Sequence, residues 1–358
     1  MIWLYLGFVA FILGLLALDL GVLHKKAHVV KAKEALGWSA LWISLGVTFV
    51  VFVYVGYEHH WFGLGTTPDR MGVPRLTADG ATIYNDGGSA AVKYLTGFVV
   101  EKSLAVDNIF VIAMIFTHLA VPAVYQHRVL FWGIVGALLL RGLMIAVGAA
   151  LIAKFAWVIY VFGGFLIITG VKMLLIKSDE GDFSQNRLVR LLRRFMHVTD
   201  RYHGEKFTVR AGTDASHAPA TPGGPLEPDP AVTRAKAGAL LATPLLLALV
   251  LVEFTDVIFA VDSIPAIFAI TTDPFLVFTS NVFAILGLRS LYFLLADAIS
   301  SLRYLKVALS VVLIVIGGKM LAHGWLKAQL GPNFNLYVLA VIGGILATGV
   351  IASLVRRR

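Results

Sequence analysis

Windows of about 20 apolar residues, the length at which a helix crosses roughly 30 Å of hydrocarbon, recur along this chain from one end to the other. No other feature constrains the fold as strongly. In lipid every backbone N–H and C=O has to be satisfied within the protein, which leaves helices or a closed barrel. The windows are too long for the roughly ten-residue strands of a membrane barrel. An all-α polytopic membrane protein in contact with membrane lipid is expected. Of its 358 residues 58% are hydrophobic and 14% charged, a balance outside that of soluble domains. The formal charge of +9 would suggest nucleic acid if the basic residues formed a stripe on a soluble domain. Here they cluster in the loops between apolar runs, which is the positive-inside pattern, and no nucleic-acid partner is expected. The absence of cysteine removes disulfides, thiolate metal sites and thiol redox chemistry together.

Nine spans are expected, at 2–22, 38–57, 92–119, 129–153, 157–175, 239–270, 275–298, 304–321 and 334–355. Residues 1–21 lack a basic leader region and an Ala-x-Ala cleavage site, so they read as a retained span and not a signal peptide. Basic residues follow every odd-numbered span: Lys25, Lys26, Lys31 and Lys33; His127 and Arg128; the run from Arg187 to Arg210; Arg303 and Lys306; and Arg356 to Arg358. The other loops carry few, which puts the N-terminus outside and the C-terminus in the cytoplasm of a cell with a multi-pass protein in its cytoplasmic membrane. Five regions result: two spans and an outer loop over 1–91, a three-helix unit over 92–176, a basic and partly disordered cytoplasmic linker over 177–238, a second three-helix unit over 239–322, and a last span with a basic tail over 323–358. The linker reads as helical over 186–197 and as a Gly/Pro/Ala-rich tether over 211–230.

Two of the apolar stretches carry near-copies of one signature, Glu101-Lys-Ser-Leu-Ala-Val-Asp107-Asn108-Ile and Asp256-Val-Ile-Phe-Ala-Val-Asp262-Ser263-Ile, with Glu253 three residues before the second. Each copy is followed by an Arg-x-Leu (Arg141, Arg289) and then by a Lys-Met (Lys172, Lys319) at nearly the same spacing. One three-helix unit is therefore used twice. Because three is odd and the linker stays on one side, the second unit enters from the opposite face and the repeat is inverted, an architecture common among secondary transporters.

A carboxylate at the centre of a bilayer costs about 2.5–3.5 kcal/mol on insertion scales. Six are placed in the spans: Asp19, Glu101, Asp107, Glu253, Asp256 and Asp262. Arg141 and Arg289, deep in the fourth and seventh spans, cannot neutralise six acids, so the remainder are protonated, solvated or metal-bound; the two arginines can brace the halves instead. Residues six apart on a helix lie about 9 Å apart along its axis and about 120° apart around it. One straight helix therefore gives no cage. Either ligands from the third and sixth spans converge across an interface, or the helices break near the signature and release backbone carbonyls. Pro265, which removes the hydrogen bond to Val261, supports a break. Asn108, Thr255 and Ser263 can add neutral oxygen ligands, and such a shell suits Mn²⁺, Mg²⁺ or Ca²⁺. Lys172 and Lys319 read as snorkelling near helix ends, Asp297 as an interfacial charge, and His59, His60 and His118 as surface residues.

The segment around Asp19 in the first span, Glu101 to Asn108 in the third and Glu253 to Phe268 in the sixth together resemble the TerC/Alx family of integral membrane proteins, within the LysE-type transporter group. The resemblance covers nearly the whole chain apart from the stretch near 211–230 and the outer loop 58–91. It implies Mn²⁺ export from the cytoplasm and an older association with tellurium-ion resistance. The family's acidic transport residues carry over onto Glu101, Asp107, Glu253, Asp256 and Asp262, with Asp19 beside them. The linker is longer than the family's usual one.

The expected function is a secondary transporter that exports divalent cations, manganese(II) foremost, with proton uptake by the carboxylates driving release. The ion is cargo, and no permanently bound cofactor is expected. No Walker A sequence, Gly-x-Ser-x-Gly elbow or His-Glu-x-x-His helix is present, so an enzyme is not expected. The alternative is a membrane scaffold that assists metal or tellurium-ion stress resistance, or the metalation of exported proteins, without transport.

Overall fold

The computed structural model describes residues 2–18, 32–72, 74–76, 80–175, 196–212, 217–219, 226–295, 303–331 and 334–355. Mostly helical, it begins with α1 (Ile2–Leu18), α2 (Ala32–Glu58), a short hairpin of β1 (Arg75–Leu76) and β2 (Thr82–Ile83), α3 (Gly87–His118), α4 (Ala123–Lys154) and α5 (Val158–Leu175). Then come β3 (Thr208–Arg210), β4 (His217–Pro219), β5 (Leu226–Pro228), α6 (Pro230–Arg234) and β6 (Leu240–Ala242). The second half holds α7 (Pro244–Phe268), α8 (Pro274–Ile285), α9 (Leu288–Leu295), α10 (Arg303–Leu321), α11 (His323–Leu330) and α12 (Phe334–Val355).

Among the described residues six helices, α2, α4, α5, α7, α10 and α12, are long and apolar enough to cross a membrane, and α8 with α9 makes a seventh as a bent pair. Helix α1 is apolar but shorter. Helix α3 has the length, at 32 residues, but carries Lys93, Glu101, Lys102 and Asp107.

Local chemistry sets the helix starts. Asp86 caps α3 by accepting from the Ser89 amide at 2.7 Å; Asp273 caps α8 through the Phe275 amide at 3.0 Å, with Pro274 in the first turn. A short side-chain acceptor before a helix satisfies one of its four unpaired N–H groups, and proline there loses no bond. The expected span at 275–298 is two helices, because Gly287 adopts a φ of +79° that a side chain disfavours. A Cβ on Gly287 would also sit 2.6 Å from Cβ of Trp42 on α2. The axes meet at 41°.

Pro265 does not produce the expected break. Helix α7 runs through it to Phe268, because the missing N–H falls in the last turn, where Ile264, Ala266, Ile267 and Phe268 are buried and hold the backbone in place.

Helices α5 and α10 pack backbone to backbone. A Cβ on Gly317 would lie 2.7 Å from the Gly163 carbonyl oxygen, and one on Gly170 would lie 2.7 Å from that of Ser310. Small residues let the two backbones touch, as membrane helix interfaces favour, and the pairing order makes the helices antiparallel.

The stretch that composition presents as a tether carries structure in its described part. Strand β3 pairs with β6 and β4 with β5, both antiparallel, while Val209, Ala211, Val232 and Leu241 form a small apolar cluster. Buried Asp229 accepts from the amides of Ala231 (3.0 Å) and Arg201 (3.1 Å) and meets Nε2 of His203 at 3.0 Å. The Tyr202 hydroxyl donates to the Leu119 carbonyl at 2.8 Å, tying the unit to the end of α3. Most of the expected 186–197 helix, the basic loop after α1, Asp297 and the terminal arginines lie outside the described residues.

Candidate metal site

The two acidic signatures meet at one guanidinium. Arg141 of α4, 3% exposed, donates to Asp256 of α7 through Nε (3.1 Å) and Nη2 (2.8 Å) and forms an ion pair with Glu101 of α3 through Nη1. This is the two-pronged geometry for which arginine is suited. Asn108 of α3 donates to Asp256 at 3.0 Å, and Ser263 lies 3.4 Å from Arg141. Beside this group is a cavity of about 20 Å³ lined by Asn108, Arg141, Asp256, Gly133 and Ile285, room for about one water.

Packing places this polar layer in the middle of the bundle. One apolar cluster contains Val100, Ile145, Ala260 and Ile264, and another contains Ile109, Leu130 and Val252. Along α3, α4 and α7 respectively, Glu101, Arg141 and Asp256 fall between the two. The dielectric is low on both sides, so the ion pairs are strong but each charge is costly to leave alone.

Glu253 lies one turn before Asp256 and feels its charge. Its carboxylate fills the space that a side chain on Gly136 of α4 would need, and its buried Oε2 accepts no hydrogen bond from the described residues. The other acids are directed elsewhere. Asp262 accepts from Thr169 of α5 at 3.2 Å, near the charge of Lys172, while Asp107 feels the charge of Lys306 on α10. The second acid of each signature is thus engaged by the third helix of the other unit.

Glu101, Asp256, Asn108 and Ser263 are therefore brought together around Arg141, with Glu253 adjacent, and Asp107 and Asp262 stand apart. Among the described residues no three His, Asp or Glu side chains form a group that could hold a metal ion. Thr255 spends its hydroxyl on the Val252 carbonyl at 2.9 Å. Asp19 lies outside the described residues. Arg289 is buried just past the α8–α9 break. Lys172 is exposed, as expected of a snorkelling residue, but Lys319 is 4% exposed with its ammonium over the Phe334 ring at 5.1 Å. It does not snorkel, because α12 starts against it.

Two groups escaped sequence reasoning. Lys102, next to Glu101, donates to the carbonyls of Ala284 (3.0 Å) and Leu286 (3.1 Å), so the backbone that the broken helix frees is capped by a side chain. A lysine inside an apolar run was the available signal. The second is a buried cluster at the N-terminal end of α3. Asp69 of the α2–α3 connection receives Lys93 Nζ (2.8 Å), Thr271 Oγ1 (2.6 Å), the Thr272 amide (2.9 Å) and Asn85 Nδ2 (3.1 Å). The Lys93 charge and these donors hold its carboxyl far below the usual range despite complete burial. Its only sequence signal was Lys93 in the third span.

Residues 86–358 match the integral membrane protein TerC family. An uncharacterised membrane protein of Myxococcus xanthus, STKORF319, is 47% identical over 99% of this chain and 93% of its own length. Alx of Escherichia coli strain K12, named as a candidate membrane-bound redox modulator, is 41% identical over 94% of this chain and 92% of its own. A membrane protein of Rickettsia bellii is 35% identical over 98% of both. No solved structure matches. The chain belongs to the TerC family of integral membrane proteins.

Proposed function

We propose that this protein is a secondary transporter of the LysE type that exports divalent metal cations, manganese(II) foremost, from the cytoplasm in exchange for protons. The observation that carries the reading is the convergence of Glu101 and Asp256, one from each signature, on a single buried cation, Arg141. A guanidinium shared by two carboxylates in a mid-bundle layer occupies a place suited to a hard divalent ion with oxygen ligands. Asn108 and Ser263 add neutral oxygens, and Glu253 Oε2 is an acceptor not engaged by the described residues. Loading requires Arg141 to release the pair, which makes the guanidinium a tethered competitor of the cargo.

In this reading α1, α3 and the bent pair join the six apolar helices to give nine spans, with the N-terminus outside and the C-terminus in the cytoplasm. The units α3–α5 and α7–α10 are the halves of an inverted repeat. The antiparallel contact of α5 with α10 and the crossed engagement of Asp107 and Asp262 support that relation. A thiol-based redox role of the kind that a relative's name could suggest has no cysteine here to act through.

A second reading is a scaffold that supports metal or tellurium-ion stress resistance, or metalation of exported proteins, without flux. The pairing of the acids with Arg141, Thr169 and nearby lysines favours it, since such contacts also brace a bundle. Proteoliposomes loaded with Mn²⁺ separate the two. A transporter loses Mn²⁺ faster than empty vesicles, and Asp107→Asn with Asp262→Asn abolishes that flux. An unchanged rate from folded, correctly oriented protein sinks the transport reading.

A further inference from the structure

The cluster at the start of α3 is distinct from the candidate metal layer, since Lys93 precedes Glu101 by about 12 Å of helix. It contains a second carboxylate. Asp273, fully buried, caps α8 and also approaches the Asn85 amide nitrogen at 3.4 Å, the same nitrogen that Asp69 meets at 3.1 Å. Two buried carboxylates thus share one neutral donor. Lys93 binds Asp69 at 2.8 Å. Lys319 of α10 feels both Lys93 and Asp69, and its buried Nζ has no hydrogen-bond acceptor among the described residues. Tyr57 of α2 and Tyr5 of α1 lie within the electrostatic reach of Asp273. Arg70 is occupied with the Ala153 carbonyl at 3.1 Å, and Arg75 with Asp86 at the rim at 2.5 Å.

This cluster joins two parts of the chain. Asp69 and Arg70 come from the α2–α3 connection, and Thr271, Thr272 and Asp273 form the α7–α8 turn. The Arg70 amide donates to Thr272 Oγ1 at 2.9 Å, and Thr272 Oγ1 donates to Asp69 at 3.0 Å. We propose that Asp69 and Asp273 form a one-proton site that latches the α2–α3 connection to the α7–α8 turn, gripping when Asp273 holds the proton and loosening when it leaves.

The sign follows from linkage. Burial, and then the Asp69 charge, push the Asp273 carboxyl up to about 6 from 3.8. A carboxyl raised in the closed state takes up a proton on closing, so this stabilisation of the closed latch is complete below about pH 4 and is lost as pH rises from there to about 6. The full difference amounts to about 100-fold in the latch equilibrium. Asp69 acts oppositely and keeps its charge throughout this range.

The natural absence of cysteine allows spin labels at Thr82→Cys and Ala156→Cys alone, both exposed. Distances between them, measured by electron resonance in nanodiscs without metal, should broaden and lengthen between about pH 4 and 7, with most of the change complete by about pH 6. Asp273→Asn, which keeps the cap and mimics the protonated form, should stay narrow at every pH. An invariant wild-type distribution over that range overturns the proposal, as does an Asp273→Asn protein that tracks pH like the wild type. The wild-type titration alone decides if the variant fails to insert. Because no metal is present, loss of the latch and loss of Mn²⁺ flux are separate outcomes.

Discussion

Lys102 of α3 and Leu286, the residue at which α8 gives way to the Gly287 turn, are joined by a 3.1 Å hydrogen bond from ammonium to carbonyl. The same Nζ reaches the Ala284 carbonyl at 3.0 Å. Two acceptors at the C-terminal end of a helix are therefore satisfied by a cation, which also suits the negative end of the helix dipole.

Lys102→Met keeps the length of the apolar stem and removes both donors. Buried carbonyls left unpaired cost about 1–3 kcal/mol. Thermal unfolding in detergent should show a fall of several degrees, with partial recovery in Lys102→Arg. Full stability of the Met variant would show that the carbonyls find water instead.

Gly136→Ala places a methyl group where the Glu253 carboxylate now lies. The far end of a glutamate is flexible, so the bundle should fold with a loss of about 1 kcal/mol, while Glu253 swings away from Asp256. Mn²⁺ flux should fall at least tenfold with little change in melting temperature. Gly136→Ala with Glu253→Ala should recover stability but not flux. A Gly136→Ala protein with wild-type flux would remove Glu253 from the ion's route.

Asp69→Asn leaves Lys93, 1% exposed, without its counter-charge. Removing one partner of a buried pair costs about 3–5 kcal/mol, so poor insertion or a markedly lower melting temperature is expected. In the wild type the same pair sets an acid limit. A carboxyl whose folded pKa is depressed contributes stability that is complete above its ordinary value near 4 and is lost as pH falls further. Melting temperatures from pH 7 to 3 should therefore drop below about pH 4 in the wild type and much less in Asp69→Asn.

The mostly helical membrane class, six of the spans and the burial of Arg141 were legible because lipid makes hydrophobic length and buried charge unambiguous. Helical geometry excluded a cage on one helix and left open either convergence across the third and sixth spans or a break near the signature; that Arg141 would draw Glu101 and Asp256 together is a tertiary fact. Two kinds of feature were not legible. Proline suggested a break in α7, but its missing donor lay in a well-packed last turn; the break came at Gly287, whose positive φ and contact with Trp42 are tertiary facts. Asp69 sits in a loop, and nothing in its neighbours announces that Lys93, Thr271 and Thr272, up to 203 residues away, will enclose it.

Arg141 offers the sharpest test of what the central layer is for. Arg141→Ala leaves Glu101 and Asp256 without a counter-charge and with only the Asn108 amide, 3.0 Å from Asp256, as a donor, and the expected loss is about 3–5 kcal/mol. If the layer only braces the bundle, the lost stability returns with any change that removes the acids, and metal has no effect. If the guanidinium holds the place of the cargo, the vacated carboxylates become an open ion site. Mn²⁺ should then raise the melting temperature of Arg141→Ala more than that of the wild type, by a free energy approaching about 2.7 kcal/mol when its concentration reaches about 100 times the dissociation constant. Glu101→Gln added to Arg141→Ala should remove that response, because one of the two carboxylates is gone. Equal Mn²⁺ effects on wild type, single and double variants would mean that the ion does not bind between Glu101 and Asp256, and would favour the scaffold.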